Sequence, residues 1–435
     1  MSQQKSSTKA VGRFPGINKD ADWIHELKRG RVPGPRMEQN KLVGPGCGPS
    51  TKSVHAGTYV DPTTGAIGTP IFQTTAFQFN EHTYKGIAAG GALRDVPVYT
   101  RTGGPNQWTV QEKMSSLEGA ESSVVFSSGM AATSTVLHAL TNNGGHVITS
   151  LHVYGGSYTL FREDMHQIGR QVSFVDCTDV SKVEAAIRDN TQVIFVESLN
   201  NPLLLPVDIK ALAELCRKNQ VLLVVDNTYL TPVFLRPLEH GAHIVLHSGT
   251  KYLNGHNDLT CGVVSGKRKY MNVIWAESQK LGGTLDSMSC FLLERGLKTL
   301  AVRMRTHHEN AMALVEFLSK HDKIKKVHHP STDDYPHAYV RELCPDGFGG
   351  MLSFEVEGGD EAAQRLIDLL TLPIPAVNLG GLESLILAPF NTTHSALTAA
   401  QRTQAGIMPG LIRMSVGIED KADLIDDFNR ALSQL

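Results

Sequence analysis

The chain has no paired-cysteine motif: Cys47, Cys177, Cys216, Cys261, Cys290 and Cys344 are scattered through 435 residues without a C-x-x-C spacing. This argues against a structural zinc site or a disulfide framework and favours reduced thiols. There is no run of about 18 apolar residues, and the N-terminus has no basic stretch followed by a short apolar core. Neither a membrane span nor a secretory leader is expected, Asp20, Asp22 and Glu26 argue against a mitochondrial presequence, and the expected location is the cytoplasm. Charge excess of either sign is also missing. With 41 Lys and Arg against 43 Asp and Glu, the formal net charge is -2, which offers no footprint for nucleic acid or an anionic membrane. A small neutral or zwitterionic ligand suits that balance better. Neither a P-loop nor a G-x-G-x-x-G placed after a strand occurs, so nucleotide binding is disfavoured, and the cluster Gly86 to Gly91 reads as a flexible loop.

The length exceeds what one hydrophobic core supports, so a large and a smaller domain are expected. Residues 1–50 mix Gly, Pro, Ser, Lys and Arg with little apolar periodicity and read as an extension or arm. From about residue 120, β-rich runs at Ser123 to Phe126, Val147 to Thr149, Val172 to Val175, Val193 to Val196 and Val221 to Val225 alternate with helical segments such as Val180 to Arg188 and Ile209 to Lys218. That rhythm predicts crossover units around a mostly parallel, buried sheet. Beyond residue 298 a long helix through Met312 and Leu318, a strand at Met351 to Glu355, and helices at Glu361 to Leu369 and Lys421 to Leu432 predict a smaller C-terminal α+β domain. The expected division is 1–102 as extension and intersubunit arm, 103–297 as the large domain and 298–435 as the C-terminal domain.

Five motifs carry chemistry. Leu246-His247-Ser248-Gly249-Thr250-Lys251-Tyr252 follows the apolar stretch Ala242 to Leu246 and belongs at a strand end, where ligands of open α/β sheets collect. A lysine there can condense with an aldehyde while Ser248 and Thr250 offer hydroxyls to a phosphate, although alone the run is equally a polar surface turn. Upstream, Val221 to Val225 reads as a buried strand ending in Asp226, a carboxylate able to keep a pyridine nitrogen protonated, or else a turn residue. Phe126-Ser127-Ser128-Gly129-Met130 leads from a strand into a helix whose first N–H groups, at Gly129 and Met130, form an anion site. Tyr154-Gly155-Gly156-Ser157 supplies a ring suited to stacking on a flat heterocycle, or a tight turn. Finally, Arg413 lies among apolar neighbours in Leu411-Ile412-Arg413-Met414-Ser415. Its planar fork suits a substrate carboxylate, and a structural ion pair with Glu419, Asp420 or Asp423 is the rival use.

Together these motifs resemble the Cys/Met-metabolism family of fold-type-I pyridoxal-phosphate enzymes, which includes cystathionine γ-synthase, cystathionine lyases, methionine γ-lyase and O-acetylhomoserine sulfhydrylase. Tyr99-Thr100-Arg101, Asn254-Gly255-His256, Arg295-Gly296-Leu297 and Ile418-Glu419-Asp420 extend the resemblance from about Ser53 to the C-terminus. It implies an α/β fold of the aspartate-aminotransferase type with pyridoxal 5'-phosphate on Lys251. Asp226 would pair with the ring nitrogen, Tyr154 would stack on the ring, and Asn201 would lie near its phenolic oxygen. Gly129, Met130, Ser248 and Thr250 would hold the phosphate. Tyr99 and Arg101 would reach the phosphate of the neighbouring subunit, so that a homotetramer of two dimers shares each active site between two chains. Lys251 would shuttle protons with Tyr154 as helper, and Arg413, Val377 and Asn378 would face the substrate.

The implied reaction is γ-elimination from a homoserine-derived or sulfur-containing amino acid of the methionine, homocysteine, cystathionine or canavanine type, giving a 2-oxo acid and ammonia, or homoserine. The alternative is γ-replacement on an O-acyl-homoserine, and a cofactor-binding protein without catalysis is the weaker rival. Some positions depart from the pattern. Gly156 replaces the cysteine common in methionine γ-lyases, and Val377 stands where several cystathionine enzymes carry glutamate. Asn378 stands where serine is usual; with Asn391-Thr392-Thr393-His394 it resembles O-acetylhomoserine sulfhydrylases. Gly103-Gly104-Pro105-Asn106-Gln107 replaces the usual Gly-Asn-Pro-Thr.

Overall fold

The computed structural model describes residues 43–44, 46–61, 64–88, 94, 96–392, 398 and 406–435. Most of the extension expected over residues 1–50, together with Gly90, Gly91, Thr393 and His394, lies outside the described residues. Gly86 corrects the expected glycine loop, because it falls inside a helix, α1 (Glu81–Ala88). A following helix, α2 (Pro105–Glu118), begins with Pro at its first position, where the missing N–H costs nothing.

The large sheet is built from β1 (Ser122–Phe126), β2 (His146–Ser150), β3 (Gln171–Val175), β4 (Thr191–Glu197), β5 (Leu222–Asp226), β6 (Ile244–Ser248) and β7 (Gly262–Gly266). Its order is β1-β7-β6-β5-β4-β2-β3, parallel throughout except that β7 runs antiparallel to both β1 and β6. The mostly parallel sheet expected from the sequence is present, with one reversed strand. Beginning and ending in glycine and lacking alternation, β7 gave little sequence signal.

Strands β1, β2, β4 and β7 are buried along their whole length, so the sheet needs helices on both faces. Side chains alternate accordingly. Leu223, Val225, Ile194 and Val263 pack with Met114 and Leu117 of α2 and with Leu212 and Cys216 of α3 (Ile209–Asn219). Leu222, Val224, Phe195 and Leu246 pack on the other side with Val136 and Leu140 of α4 (Gly129–Leu140) and Ile274 of α5 (Arg268–Leu281). Capping sets the helix starts: Ser128 accepts from Ala131 N at 3.0 Å and Asp208 accepts from Ala211 N at 3.0 Å. The helix expected over Val180 to Arg188 stops earlier, at Ala186, because Ile187 is extended.

After α6 (Leu300–Leu318) comes a second sheet of β8 (Ile324–His328), β9 (Met351–Val356), β10 (Ile374–Pro375), β11 (Leu385–Leu387) and β12 (Leu411–Ser415), in the order β10-β11-β12-β9-β8. Apart from the parallel pair β10 and β11 it is antiparallel. A separate core of Leu314, Leu318, Phe354, Ile412 and Met414 is closed by Leu366 of α7 (Gly359–Leu369) and Phe428 of α8 (Lys421–Leu432). No helix among the described residues is long and apolar enough to cross a membrane.

Candidate active site

Parallel strands place their carboxyl ends side by side, and here three of them present polar groups together. Asp226 ends β5, Ser248 ends β6, and Glu197 ends β4 directly opposite Asp226 in register. Both carboxylates stand on the face that Leu222, Val224 and Phe195 share, because they alternate in step with those residues. Burial raises the pKa of each, and for Glu197 the neighbouring Asp226 charge adds to the rise. Thr228 offsets part of this at Asp226 by donating its N–H at 3.0 Å and its hydroxyl at 2.5 Å to Oδ1, two bonds in which Oδ2 takes no part. Glu197 accepts the Tyr154 N–H at 2.7 Å and so fixes the start of the Tyr154 turn. Glu197 is not among the site residues expected from the sequence. Its signal was a carboxylate at the end of an apolar run, the same pattern that singled out Asp226.

Beyond β6 the chain turns tightly, Lys251 N donating to Ser248 O at 3.2 Å. Thr250 is spent on this turn, its hydroxyl accepting from Cys261 N at 3.0 Å and donating to Cys261 O at 3.3 Å. Gly129 opens α4 against Ser248: a Cβ at Gly129 would stand 2.9 Å from the serine Cβ, so only glycine lets the helix start come this close to the strand end. Met130 follows, its sulfur accepting weakly from the Ser157 hydroxyl at 3.9 Å. Tyr154 is 53% exposed, and its ring folds back over Gly156, where a Cβ would meet Tyr154 Cε1 at 2.7 Å. The absence of a side chain at Gly156 therefore sets where the Tyr154 ring rests.

Lys251 lies half-buried, with its pKa lowered to about 8 by burial and, second, by the Arg413 charge. Its Nζ donates to Asn378 Oδ1. Arg413 reaches the same residue from β12: Nη2 donates to the Asn378 carbonyl at 3.1 Å and to the Val377 carbonyl at 3.5 Å, while Nη1 donates to Asn201 Oδ1 at 3.3 Å. These acceptors are all neutral, so the ion pair with Glu419, Asp420 or Asp423 is not the use of this arginine; Glu419 instead accepts from Ser384 N at 2.6 Å. Arg413 is 3% exposed, and its Nε is buried with no partner. A buried guanidinium held only by neutral oxygens is prepared to receive an anion.

Tyr99 and Arg101 contact none of these groups. Both are exposed; Arg101 lies 5.6 Å over the Tyr99 ring and donates to Gln279 O at 2.7 Å. The departures at Asn106 and Gln107 have structural uses. Asn106 accepts from Phe72 N at 2.9 Å and donates to Pro70 O at 2.8 Å, while Gln107 donates to Leu285 O at 2.7 Å, which fixes the preceding segment against the large domain.

The geometry combines an amine of lowered basicity, buried carboxylates at strand ends, a helix start and an arginine with no carboxylate partner, which is the set that condenses with a phosphorylated aldehyde and binds an amino acid. Comparison with known proteins agrees. Residues 50–433 match the model of the Cys/Met metabolism PLP-dependent enzyme family, and the chain belongs to that family. It is a pyridoxal-phosphate enzyme of the lyase and synthase group. L-methionine gamma-lyase of Porphyromonas gingivalis is 38% identical over 89% of this chain and 97% of the relative. Cystathionine gamma-lyase of Bacillus subtilis is 38% identical over 88% and 99%, and cystathionine beta-lyase of Coxiella burnetii 39% identical over 88% and 97%. The crystal structure of metB from Corynebacterium glutamicum superimposes with a TM-score of 0.83 at 37% identity, covering 90% of this chain and 99% of that one.

Proposed function

We propose that this chain catalyses γ-elimination from a sulfur-containing or homoserine-derived amino acid, releasing a 2-oxo acid and ammonia. The observation that carries the reading is that Lys251, just past β6 of the large sheet, and Arg413, in β12 of the second sheet, meet on Asn378. One residue thereby links the proton-carrying amine to the carboxylate clamp.

The residues present fit the cofactor. Ser128, Gly129 and Met130 at the start of α4, with Ser248, would cradle its phosphate, and Thr250 would join them by turning its hydroxyl proton from Cys261 O to the phosphate. Asp226 Oδ2 would take the ring N–H, and the positive charge there would offset the burial cost of the Asp226 and Glu197 carboxylates. Tyr154 would cover the ring and Asn201 would lie beside its phenolic oxygen. Bound to Lys251, pyridoxal phosphate supplies the electron sink that lets a proton leave the substrate α-carbon. Arg413 holds the α-carboxylate with donors that include its unpartnered Nε. With a pKa near 8, Lys251 is neutral in enough molecules to accept the α-proton and protonated in enough to return one, so it moves protons at Nζ for both the α- and β-carbons. Tyr154 assists at the leaving group.

Val377, which is 67% exposed and offers no charge to a distal amine, weakens the case for cystathionine as the substrate; the alternative reaction is γ-replacement on an O-acyl-homoserine. Methionine, homocysteine, cystathionine, canavanine and O-acyl-homoserines, each with and without a thiol, separate the two readings by 2-oxo acid against exchange product. Neither product from any of them would refute both.

The assembly proposed is a dimer of dimers in the cytoplasm. Exposed Val60, Ile67, Ile71, Phe79 and Tyr84 in the segment leading to Tyr99 support an arm that a second chain covers. The proposed division is 1–102 for the arm, 103–297 for the cofactor domain and 298–435 for the C-terminal domain. If Tyr99 and Arg101 serve the neighbouring site, mixed oligomers of Arg101→Ala and Lys251→Ala chains recover about a quarter of wild-type activity from two nearly inactive parents. Absence of recovery would place the site within one chain.

A further inference from the structure

The Asn378 amide has a defined polarity, set by residues beyond those that face the substrate. Asn378 Nδ2 donates to Asn257 Oδ1 at 2.8 Å, and Asn257 Nδ2 donates to Glu383 Oε2 at 2.9 Å. A carboxylate only accepts. Glu383 therefore draws the Asn257 NH2 toward itself and leaves the Asn257 oxygen facing Asn378. That oxygen takes the Asn378 NH2, so Asn378 turns its own oxygen to Lys251 Nζ. Reversing either amide alone would set two NH2 groups or two oxygens face to face. Asn257 has φ +56, a conformation asparagine tolerates better than most residues, and it follows the Lys251 turn closely in sequence; Glu383 lies just before β11.

We propose that Glu383 and Asn257 are positioning residues that hold the Asn378 amide with its oxygen toward Lys251. This rests on the reading of Lys251 as the proton carrier. Once substrate amine displaces the lysine from the cofactor, Nζ donates an N–H to Asn378 Oδ1, and its lone pair stays available for the substrate proton. Without the carboxylate at the far end the amides can turn over, and Asn378 then presents NH2 to an amine that needs an acceptor.

Glu383→Gln removes the polarity while keeping shape, and both Glu383 and Asn257 are exposed, so the variants fold. In the apo protein, acylation of Lys251 followed by peptide mass spectrometry is expected to rise about threefold relative to exposed lysines, because a turned amide disfavours the ammonium form. In the loaded enzyme, exchange of the substrate α-proton with deuterated water is expected to fall about tenfold with KM changed less than about twofold. The double variant Glu383→Gln with Asn257→Asp restores the polarity in a different way. The new carboxylate at 257 can only accept from Asn378, and the new amide at 383 donates to it, so both readouts return to within about twofold of wild type. Unchanged labelling and exchange in Glu383→Gln, or no recovery in the double variant, overturns the proposal. If the wild-type protein turns over none of the amino acids named above, the elimination reading falls, and apo labelling alone decides the relay.

Discussion

The two halves of the site are built in different ways. The cofactor half stands on regular structure: Asp226, Glu197 and Ser248 end adjacent strands, and Gly129 starts a helix. The substrate half stands on connections: Val377 and Asn378 lie between β10 and β11, and only Arg413 comes from a strand. Strand ends are held by ladder hydrogen bonds and a core on each face, so they fix chemistry. A partly exposed loop tolerates replacement, so it is where relatives with one cofactor and different substrates can diverge.

The sharpest way to break this comparison is at the cofactor half. Lys251→Ala removes both the covalent attachment and the proton carrier, and kcat is expected to fall about a thousandfold or more, checked by steady-state kinetics and by loss of borohydride-trapped cofactor. Residual rate near wild type would remove Lys251 from the centre of the site. Next comes the clamp. Arg413→Lys keeps the charge but loses the fork, and kcat/KM should fall about tenfold to a hundredfold, mostly through KM, with the cofactor spectrum unchanged. A spectral change with unaltered KM would move Arg413 to the cofactor half.

A smaller effect is expected in the loop. Val377→Glu adds a carboxylate at an exposed position and is expected to shift preference toward substrates with a distal amine, such as cystathionine over methionine, by about tenfold. Equal changes for both substrates would show that the loop does not discriminate. The smallest effect concerns Glu197 in the apo protein. Its folded pKa is raised by burial and by Asp226, so its contribution to stability is present below the ordinary carboxylate value of 4.5 and is lost as pH rises through the raised value. Urea unfolding at pH 5 and pH 8 should therefore show a loss with rising pH that Glu197→Gln reduces by about 1 kcal/mol. A parallel loss in both proteins would mean that Glu197 does not titrate within this range.

The cofactor half was the more legible of the two in the sequence. Asp226 and Lys251 each follow an apolar run short enough to be a strand, and Gly129 separates such a run from a helical one. Glu197 also closes an apolar run, but that signal alone does not assign it to the site; only the pairing of β4 with β5 sets it beside Asp226. The reversed β7 was missed for a similar reason, since direction is decided by its two neighbours rather than by its own residues. In the substrate half, Arg413 was visible as a charge among apolar residues, but its neutral partners were not. Asn257 carried no signal, being a polar residue in a polar turn.

The sequence by itself determined the rhythm of strands and helices and the residues that close each strand, because hydrophobic period and capping act over a few neighbours. Tertiary structure alone decided which of those strand ends stand together, which acceptors surround Arg413, and which way the Asn378 amide faces. Those outcomes depend on contacts between segments far apart in the chain: Lys251 with Asn378, Arg413 with Asn201, and Asn257 with Glu383. No local preference encodes such distances, and the packing of the two sheets sets them.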